Sequence, residues 1–141
     1  MPGRAKMKKL LWISIFVSLI LLVSPGGVLG KDPTPPKKTP DLLAQGKKLY
    51  EQNCSSCHGP KGDGKGPAGA ALKPSPTDFT KPYNQWPASK GGLNKVFEAI
   101  TNGVPNTSMV KWSHLPEQDR WALAYTVIQF SAPAKPAAKK K

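Results

Sequence analysis

Cysteine and histidine are scarce in this chain: its 141 residues include only Cys54, Cys57, His58 and His114. A closed four-ligand zinc site would therefore have to recruit a carboxylate. Strand signals are missing too. No segment alternates convincingly between apolar and polar residues, so the βαβ surroundings that a thioredoxin-like dithiol requires are absent and the fold is expected to be all-α. Acidic residues are few, 8 against 21 Lys and Arg, for a formal net charge of +13. No apolar run reaches the roughly 20 residues that a helix needs to cross a bilayer. The longest, residues 10–23, has 14 residues and is interrupted by Ser14 and Ser18.

What is present is Cys54-Ser55-Ser56-Cys57-His58, a C-x-x-C-H motif. Two thiols at this spacing can add across the two vinyl groups of one haem, and the adjacent imidazole then reaches the iron from the same side. The motif implies one covalent haem c that cannot dissociate. It uses both cysteines, which suits export, since no free thiol is left to be oxidised outside the cytoplasm.

The N-terminus carries an address. Arg4, Lys6, Lys8 and Lys9 precede the 14-residue apolar run, as the charged and apolar regions of a secretory signal would be arranged. Pro25-Gly26-Gly27 breaks that run, and Val28-Leu29-Gly30 offers small enough side chains for cleavage before Lys31. Residues 1–30 are expected to be a signal peptide; the alternative is an uncleaved membrane anchor extended through Val28 and Leu29. Both readings export the domain, to a periplasm or its equivalent. Without the four n-region cations, 17 basic residues face 8 acidic ones, or +9, and seven of those lysines lie in the two ends. Between residues 41 and 131 there are 10 basic and 7 acidic residues, or +3. Export and this weak charge disfavour a nucleic-acid partner, although the tails alone could bind polyanions.

Residues 31–40, KDPTPPKKTP, read as an extended, polyproline-like linker, and residues 132–141, APAKPAAKKK, as a basic disordered tail. The globular domain is then residues 41–131, small enough that a large flat cofactor would be a substantial part of its core. Three helices are expected. The first is capped by Asp41, runs to about Asn53 with Leu42, Leu43, Gly46, Leu49, Tyr50 and Asn53 on one face, and leads into the motif. The second spans Leu93–Asn102, groups Val96, Phe97 and Ile100, and stops at Gly103 as an αL cap. The third starts at Pro116 and carries a stripe of Trp121, Ala124, Tyr125 and Ile128 to about Phe130. Between Gly59 and Gly92 lie six prolines, which exclude a regular helix or central strand. A 34-residue loop makes sense if it wraps the haem, with Leu72, Phe79 and Trp86 as covering residues.

The iron's other face needs a partner or an opening. Electron transfer favours a second protein ligand, whereas ligand binding or peroxide chemistry needs a labile position. Met1 and Met7 precede the signal core, so Met109 is the one methionine in the exported domain. It lies in a Pro-containing loop between two helices, and a thioether there would raise the reduction potential relative to a second histidine. Core filling is the bland alternative for Met109. His114 is the alternative ligand, otherwise a partly exposed loop residue.

These residues resemble class I c-type cytochromes across residues 41–131. The resemblance rests on Gly46 and Tyr50 ahead of Cys54-Ser55-Ser56-Cys57-His58-Gly59, on Gly64-Lys65-Gly66-Pro67, and on Leu72, Pro74, Pro76, Asp78 and Phe79. Gly103, Met109, Trp112, Trp121 and Tyr125 complete it. It implies a small cytochrome c fold in which the first and last helices cross at Gly46 and Ala124, with Tyr50, Trp121 and Tyr125 around the crossing. It also implies that a backbone carbonyl close to Pro67 accepts the Nδ1 hydrogen of His58.

The function expected is one-electron transfer between a reductase and an oxidase or other redox proteins, without catalytic residues and by a monomer or a subunit of a complex. Cys54 and Cys57 would hold the haem, with His58 and Met109 as axial ligands. Lys47, Lys48, Lys61, Lys65, Lys73 and Lys111 are candidates for steering an acidic partner. The alternatives are a subunit docked permanently in a larger oxidoreductase, with the tails as binding arms, and a haem enzyme or gas sensor that releases Met109.

Overall fold

The computed structural model describes residues 33–87 and 92–131. The expected signal or anchor at 1–30, the start of the linker and the basic tail at 132–141 lie outside the described residues. Among those described there are three main helices, one short helix, one 3-10 turn and no strands. The all-α architecture with a long wrapped loop is the one the sequence implies.

Helix α1 spans Pro40–Asn53. Asp41 is not its cap. Thr39 holds an extended conformation (φ −118°, ψ 159°), its Oγ1 accepts from Leu42 N at 3.2 Å, and Pro40 occupies the first helical position. Proline suits that position because its fixed φ is helical and its missing N–H would have been unpaired there. Asp41 instead lies in the first turn, where its carboxylate faces the positive end of the helix dipole. The helix buries Leu42, Gly46 and Tyr50 and passes through Cys54, whose N–H reaches Tyr50 O at 2.9 Å, into the short helix α2, Ser55–His58.

Helix α3, Leu93–Asn102, buries Val96, Phe97 and Ile100 as expected. Its stop at Gly103 differs from the expected αL cap. Gly103 has φ 73° but ψ −174°, a positive-φ extended conformation. A Cβ there would also crowd Met109 O and Lys111 N, so the chain after α3 folds back against the glycine. A bond from Trp112 N to Ile100 O at 3.0 Å closes the same loop.

Helix α4, Glu117–Gln129, is buried far more widely than one stripe. Trp121, Ala122, Leu123, Ala124, Thr126 and Val127 are all buried, while Tyr125 and Ile128 are half-buried. The cause is two-sided packing. On one side α1 approaches so closely that a Cβ on Gly46 would overlap Ala122 O and Thr126 Oγ1. The small partner opposite Gly46 is therefore Ala122, not Ala124. Towards α3, the Phe97 and Trp121 rings stack with centroids 3.9 Å apart, and the Arg120 guanidinium lies 4.9 Å above the Phe97 ring. Tyr125 turns outward from both packings and donates its hydroxyl to Pro36 O at 2.7 Å, tying the linker to the domain.

The Gly59–Gly92 loop is anchored on the motif it follows. Gly64 N, Gly66 N and Ala68 N donate to His58 O, Cys57 O and Ser56 O at 2.8, 3.1 and 2.9 Å, and Phe79 N donates to Gly62 O at 2.6 Å. These bonds satisfy the last carbonyls of α2, which the ending helix leaves unpaired.

Gly46→Ala tests the crossing. Alanine improves helix propensity by about 1 kcal/mol, but overpacking a tight interface costs about 1–3 kcal/mol. Here the obstacle is a carbonyl of the opposing backbone, which cannot rotate away. The variant is expected to unfold at a lower guanidinium concentration than the parent when both carry haem; an equal or higher midpoint would show that the helices can separate freely.

Candidate haem site

The end of α1, the short α2, the long loop, α3 and α4 enclose a cavity of about 650 Å³. Cys54, Cys57 and His58 open on it from one side of the fold, and Met109 also lines it. In the chain, Met109 is more than 50 positions beyond the motif; the loop bonds and the α3 stop bring them to one space. Leu72, Phe79 and Trp86, the residues expected to cover a haem, line it as well. His114 does not line it. That side chain is exposed, with its ring 5.5 Å from Trp112.

His58 is fixed through its second nitrogen. Its Nδ1 lies 3.2 Å from Thr77 O. The carbonyl is thus contributed by the Pro76-Thr77 stretch, which corrects the acceptor expected near Pro67. Gly66 and Ala68 on either side of Pro67 donate their N–H groups to Cys57 O and Ser56 O, which holds that stretch against α2. Donation from Nδ1 to a carbonyl leaves Nε2 as the nitrogen available to a metal. The Phe79 ring stacks on the imidazole, with centroids 4.5 Å apart and planes 17° apart.

Met109 is held by its own loop. Its N–H donates to Thr107 Oγ1 at 3.1 Å, Thr107 Oγ1 donates to Val104 O at 2.8 Å, and Asn106 takes φ 60° to turn the chain. With the crowded glycine at 103 behind it, this loop has little freedom to carry the thioether away. Val110, 60 % exposed, stands at the outer rim of the same cavity.

The electrostatics describe a site partly shielded from solvent, with Cys54, Cys57 and His58 all half-buried. Burial pushes the Cys54 thiol up to about 12, with the neighbouring Cys57 adding to the shift. Burial also lowers the His58 pKa, an effect the bond to Thr77 partly offsets. Both shifts favour the neutral form. A catalytic redox dithiol needs the reverse, a thiol whose pKa is depressed. Among the described residues no group of three or more His, Cys, Asp or Glu comes together to hold a bare metal ion.

These residues fit a haem. Two thiols, an imidazole with a free Nε2 and a thioether share one cavity whose walls are chiefly apolar, the chemistry that thioether attachment and iron ligation require. Residues missed in the sequence also line it. Leu123 and Val127 are one helical turn apart on α4, concealed because the stripe assigned to that helix followed a different face. Thr77 gave no signal, because its contribution is a backbone carbonyl. The six lysines proposed for steering are exposed and do not line the cavity; Lys95, paired with Glu98, does.

The raised Cys54 pKa predicts the behaviour of the chain produced without haem attachment. At neutral pH, iodoacetamide is expected to alkylate Cys54 more slowly than free cysteine, because little thiolate is present. Peptide mass spectrometry over time would read this, and labelling at the free-cysteine rate would contradict the buried environment.

Comparison with known proteins agrees with this geometry. Residues 41–125 match the family described as cytochrome C oxidase, cbb3-type, subunit III. Among curated proteins none matches. A solved structure, the reducing HAO-like protein complex Kustc0457/Kustc0458 of Kuenenia stuttgartiensis, is similar with a TM-score of 0.64 and 26 % identity, over 72 % of this chain and 49 % of that one. The present chain thus spans about half the length of that relative. The family match runs from α1 through the C-x-x-C-H motif and the Met109 loop into α4 in one stretch, and the chain belongs to the cytochrome c oxidase, cbb3-type, subunit III family as a class I c-type cytochrome with covalently bound haem c.

Proposed function

We propose that this chain is a one-electron carrier, exported to a periplasm or its equivalent, whose haem iron is held between His58 and Met109. The observation that carries the reading is that Cys54, Cys57, His58 and Met109 all line one cavity. When bound, haem c supplies a reversible one-electron change at its iron. The protein's own part is to hold and to exclude. Cys54 and Cys57 would anchor the group covalently, and Thr77 O keeps the His58 proton on Nδ1. Phe79, Trp86, Leu123 and Val127 keep water from the interior. The N-terminal residues 1–30 would direct export, as a cleaved signal or as an anchor.

A second reading is a fixed electron-transfer subunit of a larger oxidoreductase. It is favoured by the similar structure from Kuenenia stuttgartiensis, which is a protein complex. The link from Tyr125 to Pro36 O gives the linker a defined departure point from the domain, which suits a tethered arrangement. Gel filtration of the purified full chain separates the two readings: a carrier elutes as a monomer, and co-purification of a stoichiometric partner supports the subunit.

The ligand set has a direct test. Carbon monoxide added to the reduced protein should bind slowly and weakly, because Met109 holds the sixth position. Met109→Ala should become a rapid carbon monoxide binder with a lower reduction potential, while His114→Ala should leave spectrum and potential unchanged. Rapid binding by the unaltered protein would overturn the closed six-coordinate site, and a spectrum sensitive only to His114→Ala would transfer the ligand role to that residue.

A further inference from the structure

A series of ring contacts leads from the His58 side of the cavity towards the surface. Phe79 stacks on His58 at 4.5 Å, Trp86 meets Phe79 at 5.0 Å, and Tyr83 meets the edge of Trp86 at 5.0 Å. Trp86 is the fixed centre of the series. It is 4 % exposed, lines the cavity itself and donates Nε1–H to Lys81 O at 2.9 Å. Tyr83 is the outer end. Its ring is partly exposed, between exposed Lys81 and Asn84.

We propose that Tyr83 and Trp86 form a second electron port, through which a reduced one-electron redox protein docked over Tyr83 delivers an electron to the cavity, separately from the rim at Met109 and Val110. The inference rests on the electron-transfer reading above and adds a second entry to it. Electron tunnelling decays faster across gaps than across packed atoms. A buried indole in contact with both the cavity and a surface ring therefore gives this side of the protein a continuous packed route to the cavity.

The step moves one electron and nothing else. The partner is oxidised by one electron, ferric haem is reduced to ferrous, and no bond forms or breaks. The rings keep their oxidation state. The surroundings of Tyr83 enforce this, since its hydroxyl is buried without a hydrogen-bond partner and burial raises its pKa. Oxidising a phenol requires a base for its proton, and the hydroxyl has no hydrogen-bond partner among the described residues. The rings thus act as a bridge, not as a stopping place.

Two ports have a consequence for the molecule's traffic. A carrier with one port must leave its donor before it meets its acceptor. With a route through Tyr83 in addition to the Val110 rim, donor and acceptor need not share one contact, as a relay in an assembly requires.

The test uses the haem-loaded full chain with a photoreducing ruthenium bipyridyl complex bound to one surface histidine. His114, exposed and next to Trp112, is the natural site for a label near the Met109 loop. Asn84→His in a His114→Gln background puts the label beside Tyr83. Flash photolysis then reads the rate of electron injection from each label, independently of any turnover. Tyr83→Leu is expected to lower the rate from the position 84 label several-fold while the His114 label keeps its rate, and Tyr83→Phe is expected to restore the lost rate. An unchanged rate in Tyr83→Leu, or an equal fall from both labels, would overturn the port. Tyr83 is half-buried, so the leucine variant avoids the folding loss that replacing Trp86 invites. Failure of the ligand reading is distinguishable, because it appears as carbon monoxide binding in the unlabelled parent and leaves the ratio of the two injection rates intact.

Discussion

The crossing of α1 and α4 at Gly46 is the contact on which the rest of this domain depends. It brings two backbones so near that Ala122 O and Thr126 Oγ1 occupy the place of a side chain. With that distance fixed, the continuation of α1 delivers Cys54 to the cavity that Leu123 and Val127 of α4 also line. A wider crossing would move the thiols relative to the wall and change the cavity. The glycine is therefore a site residue at one remove, although it touches nothing in the cavity.

The second constraint is that the cavity cannot be closed by the polypeptide alone. A domain of this size buries too small a fraction of its surface to be firmly stable without help. Its long loop has no helix or strand of its own between α2 and the 3-10 turn at Tyr83–Gln85. Bonds to the carbonyls of Ser56, Cys57 and His58 tie its first part to the attachment motif. Apolar residues from its later part then face the cavity, so the haem and the loop stabilise each other. Covalent attachment suits such an arrangement, because a core that includes its cofactor gains nothing from a cofactor that can leave.

Much of this was legible in the sequence because periodicity reports helices and the C-x-x-C-H motif reports chemistry. The boundaries of α3 follow from LNKVFEAITN and its following glycine, and Met109 stood out by elimination. The misses have a common physical origin in contacts made by backbone. Thr39 took the cap from Asp41 because a proline between them is better used as the first helical residue. The His58 bond goes to Thr77 O, while the Pro67 stretch meets α2 through the N–H groups of Gly66 and Ala68. Ala122, not Ala124, faced Gly46 because α4 is buried on two sides, and a single stripe cannot represent two faces. Carbonyls have no sequence identity, so no pattern of side chains could have singled out Thr77 O.

Burial also bears on the chemistry. The same surroundings lower the pKa of His58 and raise that of Cys54, each time favouring the form with less charge. Ferric haem carries one more positive charge than ferrous haem, so a dry cavity opposes the ferric state by the same physics that opposes imidazolium. The proposed thioether ligand from Met109 would act in the same direction, since a soft ligand favours ferrous iron. On that proposal the loop that covers the cavity and the loop that presents Met109 would act together on one quantity, the reduction potential. Both are held by backbone bonds and by Gly103, with little contribution from ion pairs. Lys95–Glu98 is the one ion pair among the described residues, and it is exposed. Packing and burial are accordingly the means by which this fold can act on the potential of its haem.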